Sequence, residues 1–194
     1  MKKRTSINTL YSLSLIVVLS FVTLNARAQK VAISTNAVNW AYLATVNLEA
    51  GVRVHQHFSI QAGARYNPWN FKTQKLSLPL YNHQTTAYAG FRYWPRYVFS
   101  GWWFGAQAQL TDYEETGVWR HALDIGKAIG GGMSFGYTLM LYENLNIEFG
   151  AGIWAGRRYE HVLYCCPDCM LVRESGPGNF VALNDISISL MYVF

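Results

Sequence analysis

Apolar residues recur at every second position through most of the chain beyond residue 30. In the C-terminal segment Ile186, Ile188, Leu190, Tyr192 and Phe194 share one parity, while Asp185, Ser187 and Ser189 take the other. Further back, Ile147, Phe149, Ala151 and Ile153 alternate with Asn146, Glu148, Gly150 and Gly152. Ile129, Met133, Phe135, Tyr137 and Leu139 alternate in the same way with Gly130, Gly132, Ser134, Gly136 and Thr138. A period of two sends successive side chains to opposite faces of a strand. Similar runs at 102–110, 87–93, 58–66 and 46–54, with a less regular one at 31–40, bring the predicted strands to eight.

The joints between these runs alternate in length. Those near Gln56, at 95–100 and near Glu143 are short, whereas 67–84, 112–126 and 157–180 are long, the first hairpin standing apart. Outer-membrane barrels keep short turns in the periplasm and long loops outside, and strands of about ten residues tilted near 40° cross roughly 25 Å of apolar band. The expected fold is therefore all-β: an eight-stranded antiparallel up-and-down transmembrane β-barrel in a bacterial outer membrane, in contact with its lipid, with the long loops facing outward. Trp40, Tyr42, Tyr66, Trp69, Tyr113, Trp154 and Tyr159 at the loop ends would form one interfacial girdle. Tyr93, Trp94, Trp102, Trp103, Tyr142, Tyr192 and Phe194 at the turn ends would form the other. An antiparallel sandwich also alternates, but its solvent face calls for more charge than these Gly- and Asn-rich parities carry.

Composition fits the barrel, since aromatics make up 15% and charged residues only 14% of the chain, against roughly 25% charged in soluble domains. The N-terminus adds a compartment. Lys2, Lys3 and Arg4 precede an apolar stretch from Leu10 to Leu24 and a small-x-small site at Ala26-Arg27-Ala28, the pattern of a cleaved signal peptide at 1–28 ahead of a barrel domain at 29–194. That leader carries four basic residues and no acidic one, so its removal lowers the formal charge from +5 to +1. The cationic footprint a nucleic-acid partner requires goes with it.

Several residues bear on chemistry. Tyr192 and Phe194 close an alternating last strand, which resembles the signal read by the barrel-assembly machinery through strand addition. Glu49, Arg53, Arg65, Arg92 and Glu148 lie on the polar parity and turn to the lumen, where charges must pair or stay hydrated. The expected network joins Glu148 to Arg92 near the turn end and Glu49 to Arg65 higher up, filling the barrel instead of lining a pore. Cys165, Cys166 and Cys169 in the longest loop suggest one disulfide in an oxidising compartment, with one thiol left over. Metal binding with His161 and redox chemistry are the weaker readings. The Gly130–Gly136 stretch lacks the Lys-Ser/Thr of a phosphate loop, and small inward side chains in a narrow barrel account for it. His55, His57, His83, His121 and His161 match no metal-ligand spacing. His121 with Asp124, or His161 with Glu160, could serve a lipid hydrolase, yet no Ser sits in a nucleophile motif. No cofactor and no enzyme activity are expected.

Ser34-Thr35-Asn36 with Trp40, Tyr66-Asn67-Pro68-Trp69-Asn70-Phe71, Phe91-Arg92-Tyr93-Trp94 and Asn146-Ile147-Glu148-Phe149-Gly150 give the chain a resemblance to a family of small outer-membrane barrels of Bacteroidetes-type bacteria, known as a domain of unknown function. The resemblance spans most of the predicted mature chain. It implies a structural or surface-interaction role linked to fimbria-type surface proteins, and it brings no catalytic residues with it. In size and strand number the chain is also similar to OmpA/OmpX-type barrels. A small lipid-directed enzyme and a narrow pore are the alternative functions.

Overall fold

The computed structural model describes residues 31–71, 80–116, 122–165 and 171–194. Eight strands close a barrel: β1 (Val31–Asn36), β2 (Val46–His55), β3 (Phe58–Asn67), β5 (Leu80–Tyr93), β6 (Gly101–Thr116), β7 (Leu123–Met140), β8 (Leu145–Tyr164) and β10 (Gly178–Val193). Two short strands, β4 (Asn70–Phe71) and β9 (Val172–Ser175), add to the rims of β5 and β8. Every neighbour is antiparallel, and the sheet closes where β1 pairs with β10, from Ala32 opposite Val193 to Asn36 opposite Ser189. The Phe194 amide donates to the Val31 carbonyl at 2.8 Å, extending the seam by one bond. Closure removes the edges that a sandwich would keep.

The wall is inverted relative to a water-soluble protein. Leu48, Ile60, Phe91, Phe104, Met133, Phe135, Ile153 and Ile188 point outward and are exposed, while Ser59, Gln61, Asn82, Thr86, Gln109, Thr138 and Asn146 point inward and are buried. On β6 the outward series runs Trp102, Phe104, Ala106, Ala108, Leu110 and then changes to Asp112 and Glu114. On β8 outward Phe149, Ala151, Ile153 and Ala155 give way to Arg157.

Four sequence expectations change. The first strand ends at Asn36 instead of Trp40, because the Asn36 side chain accepts from the Val38 amide and caps a short helix, α1 (Ala37–Ala41). The described residues of the segments 67–84, 112–126 and 157–180 are largely ladder: β6, β7 and β8 continue past the apolar belt as a tall wall. Alternation cannot reveal a strand that carries polar residues on both faces, although its backbone still pairs. Trp94 and Trp103 are buried in the lumen, and Tyr113 and Trp154 face inward too, so they do not belong to the girdles. Each sits one position from an outward neighbour, and a strand cannot send both to one side. Finally, Arg53 is exposed at the turn end, where it lies beside His57 and Arg96.

No helix among the described residues is long and apolar enough to cross a membrane. The predicted signal peptide, together with His121, Cys166 and Cys169, lies outside the described residues.

The lumen as candidate functional site

The lumen has three levels. At the short-turn end, Trp94, Phe99, Trp103, Met191, Val193 and Ala32 form an apolar stopper. The turn between β5 and β6 folds back into the barrel to build it, with Phe99 held at φ 67°. A bulky residue rarely takes that conformation, and its surroundings hold it: the Asn146 amide donates to the Phe99 carbonyl at 2.8 Å, and the ring meets Trp94 edge-on at 5.8 Å. The Trp94 indole donates to Ser59 Oγ at 2.9 Å. Glycines make the room. A Cβ on Gly136 or Gly150 would run into the Trp103 ring, which is the role the sequence assigns to small inward side chains.

Above the stopper lies the charged level. The Arg92 guanidinium meets Glu148 Oε2 at 3.0 Å and Glu49 Oε1 at 2.9 Å, and it stacks on Trp103 at 4.1 Å from the ring centre. Thr138 donates to Glu148, and the Tyr88 hydroxyl donates to Glu49 Oε2 at 3.0 Å. The expected Glu148–Arg92 pair is present, and the same guanidinium also reaches Glu49. Arg65 lies over the Tyr88 ring at 5.2 Å, and the two-sided Arg92 fork reaches both carboxylates. The void beside this level is about 40 Å³, room for a water or two.

Towards the loop end the lumen opens into a vestibule of about 470 Å³. Tyr113, Glu115, Asp124 and Arg158 rise on its wall from the tall part of β6, β7 and β8, with Trp154 and Phe180 below them, their rings edge-to-face at 4.4 Å. Glu115 and Asp124 are register partners on the inner face. Burial, and then the Asp124 charge, push the Glu115 carboxyl above its ordinary range, with Arg158 opposing. Burial followed by Asp124 also drives the Tyr113 phenol up to about 12.

His161 Nε2 is 3.1 Å from Asp124 Oδ1, whereas Glu160, its sequence neighbour, turns outward to Lys127 at 2.7 Å. A bulge between Lys127 and Ala128 resets the parity there. Among the described residues the vestibule wall carries no Ser or Cys; its hydroxyls at Thr86 and Thr111 bond each other at 2.8 Å. No His/Cys/Asp/Glu group able to hold a metal occurs among the described residues. Cys165 is exposed and free, and no disulfide occurs among the described residues.

The motifs quoted from the sequence all serve this interior. The Asn67 amide donates to the Leu43 carbonyl and to Thr45 Oγ1, both at 2.9 Å, and its oxygen accepts from the Trp69 amide. The Trp69 indole donates to the Ala44 carbonyl. Tyr-Asn-Pro-Trp thereby ties β3 to the loop after α1, where Leu43 and Ala44 have positive φ. The Asn47 side chain accepts from the Asn36 amide at 2.6 Å and donates to the Asn36 carbonyl at 2.9 Å, and the Trp40 indole donates to Thr35 Oγ1. Arg-Tyr-Trp supplies the ion hub and the stopper; Asn146 and Glu148 hold each in place. Tyr192 and Phe194 lie outward on the seam, their rings 4.8 Å apart. Reading the sequence did not find the vestibule, because its residues are scattered over seven elements and only the closed register gathers them.

A family model described as "Protein of unknown function (DUF3575)" matches residues 14–194. Neither the curated proteins nor the solved structures contain a match to the chain.

Proposed function

Taking as premise that the chain belongs to the family of proteins of unknown function DUF3575, we propose that it is an integral outer-membrane β-barrel with a structural or surface-interaction role. One observation carries this reading: the outward face of a closed barrel is an apolar belt that ends in charge on β6 beyond Leu110 and on β8 beyond Ala155. In water such a belt would be a large aggregation-prone patch, whereas in hydrocarbon it is the ordinary solvent-facing surface. Around most of its circumference the hydrogen-bond ladder meets the other demand of a bilayer, that backbone groups be satisfied internally.

The tall wall of β6, β7 and β8 then stands outside the membrane as the contact surface, and the resemblance to barrels associated with fimbria-type proteins supports surface fibres as its partners. The stopper and the Arg92 cluster speak against the narrow pore.

Membrane fractionation of cells expressing the full chain tests the assignment. The protein is expected in the outer-membrane fraction, with a heat-modifiable electrophoretic mobility. Recovery as a freely soluble protein that keeps its fold without detergent would overturn it.

A further inference from the structure

The barrel wall is incomplete beside the vestibule. β1 stops at Asn36 opposite Ser189, so among the described residues no strand pairs with the outer edge of β10 from Gly178 to Ser187. Helix α1 stands in that place, and the Ile188 amide turns to the Asn36 side chain instead of to a ladder partner. Two outward side chains of β10, Leu183 and Ile186, line the vestibule together with Val38 and Asn39 of α1. Leu183 is 76% exposed and pairs in register with outward Ile153, inside the apolar belt. A cavity lined by both inward and outward residues of one strand passes through the wall.

The inner chemistry is mixed in sign. Arg158, held over the Phe180 ring at 5.1 Å, faces Glu115 and Asp124 across the same space. Two carboxyls opposite each other on one face repel, and a bound cation relieves them. Gln109 is buried at 5% exposure on the vestibule wall, and its Oε1 has no hydrogen-bond partner among the described residues. That oxygen calls for a donor. The volume lies within the range of ligand sites, roughly 300–1,000 Å³.

We propose that the vestibule binds the zwitterionic head group of a phospholipid, phosphate toward Arg158, ammonium toward Glu115 and Asp124 and the glycerol beside Gln109, while an acyl chain leaves through the gap between β10 and α1 into the bilayer. The inference rests on the membrane assignment for its source of ligand. It is independent of that assignment in the test, which uses the refolded barrel in detergent micelles and scores the fold by heat-modifiable mobility.

Native mass spectrometry with lysophosphatidylethanolamine as probe is expected to show one bound molecule, at least tenfold more tightly held than lysophosphatidylglycerol. Free phosphoethanolamine, which lacks the chain, is expected to bind at least tenfold more weakly than the lysolipid. Arg158→Gln and Glu115→Gln should each weaken the lysolipid at least tenfold while the mobility shift is kept. Equal binding of all amphiphiles, no binding by the folded wild type, or unchanged binding in both folded variants would each overturn the proposal. Binding of phosphoethanolamine as tight as the lysolipid would overturn the route through the gap. Absence of the protein from the outer membrane, by contrast, would strike the membrane assignment alone.

Discussion

Arg92 is the residue on which the interior depends most. It is buried, it stacks on Trp103, and it bridges two carboxylates that would otherwise repel each other more strongly. Removing one partner of a buried ion group costs far more than the group contributes, typically about 3–5 kcal/mol. Arg92→Leu is expected to lose on that order in urea unfolding from lipid vesicles. Adding Glu49→Gln and Glu148→Gln should restore more than half of the loss. If the triple variant is no more stable than Arg92→Leu, electrostatics does not dominate the site. The inward parity of all three residues was legible in the sequence, and so was the Arg92–Glu148 pair as an expectation. The sharing of Arg92 with Glu49 was not, since it depends on how the closed register brings β2, β5 and β8 together in the lumen.

At the scale of elements, the tall hairpins departed most from expectation. Tyr113 and Glu115 belong to the part of β6 beyond the apolar belt, and Asp124 to the facing part of β7. Burial and the neighbouring Asp124 hold the Tyr113 phenol neutral, its pKa raised from 10 to about 12. A raised folded-state pKa stabilises the fold below the unfolded value and loses that contribution as pH climbs through the folded one. Wild-type thermal midpoints in micelles should therefore fall between pH 10 and 12 more steeply than those of Tyr113→Phe. Allowing for partial exposure, the difference at the alkaline end should be about 1–2 kcal/mol. Parallel curves for the two proteins would mean that the hairpin is open to water at Tyr113. The central strands were readable because lipid-facing and lumen-facing positions contrast in polarity. The rims were not readable, because polar side chains on both faces carry no such contrast, and α1 was hidden by the apparent continuation of the 31–40 run through Val38 and Trp40.

For the molecule as a whole, the sign of the solvent preference is the property to test. Phe135 lies outward on β7, 54% exposed, well below Lys127, the first charge on that face. Phe135→Lys is expected to cost about 2–4 kcal/mol for folding into lipid vesicles. Surface substitutions in water-soluble proteins usually fall within about 0.5 kcal/mol. A change of that smaller size would remove the bilayer as the natural surroundings of this wall. The overall architecture was the most legible feature of the chain, since strand number, parity and joint order act together, whereas the seam gap beside β10 emerges only from counting where β1 stops.

The stopper built from Trp94, Phe99 and Trp103 turns the barrel from a tube into a cup. Whatever enters the open mouth must leave by the mouth or sideways through the wall; none of it travels on to the far side. In the outer membrane proposed for it, such a cup would be displayed at high density without opening a path for ions across the bilayer.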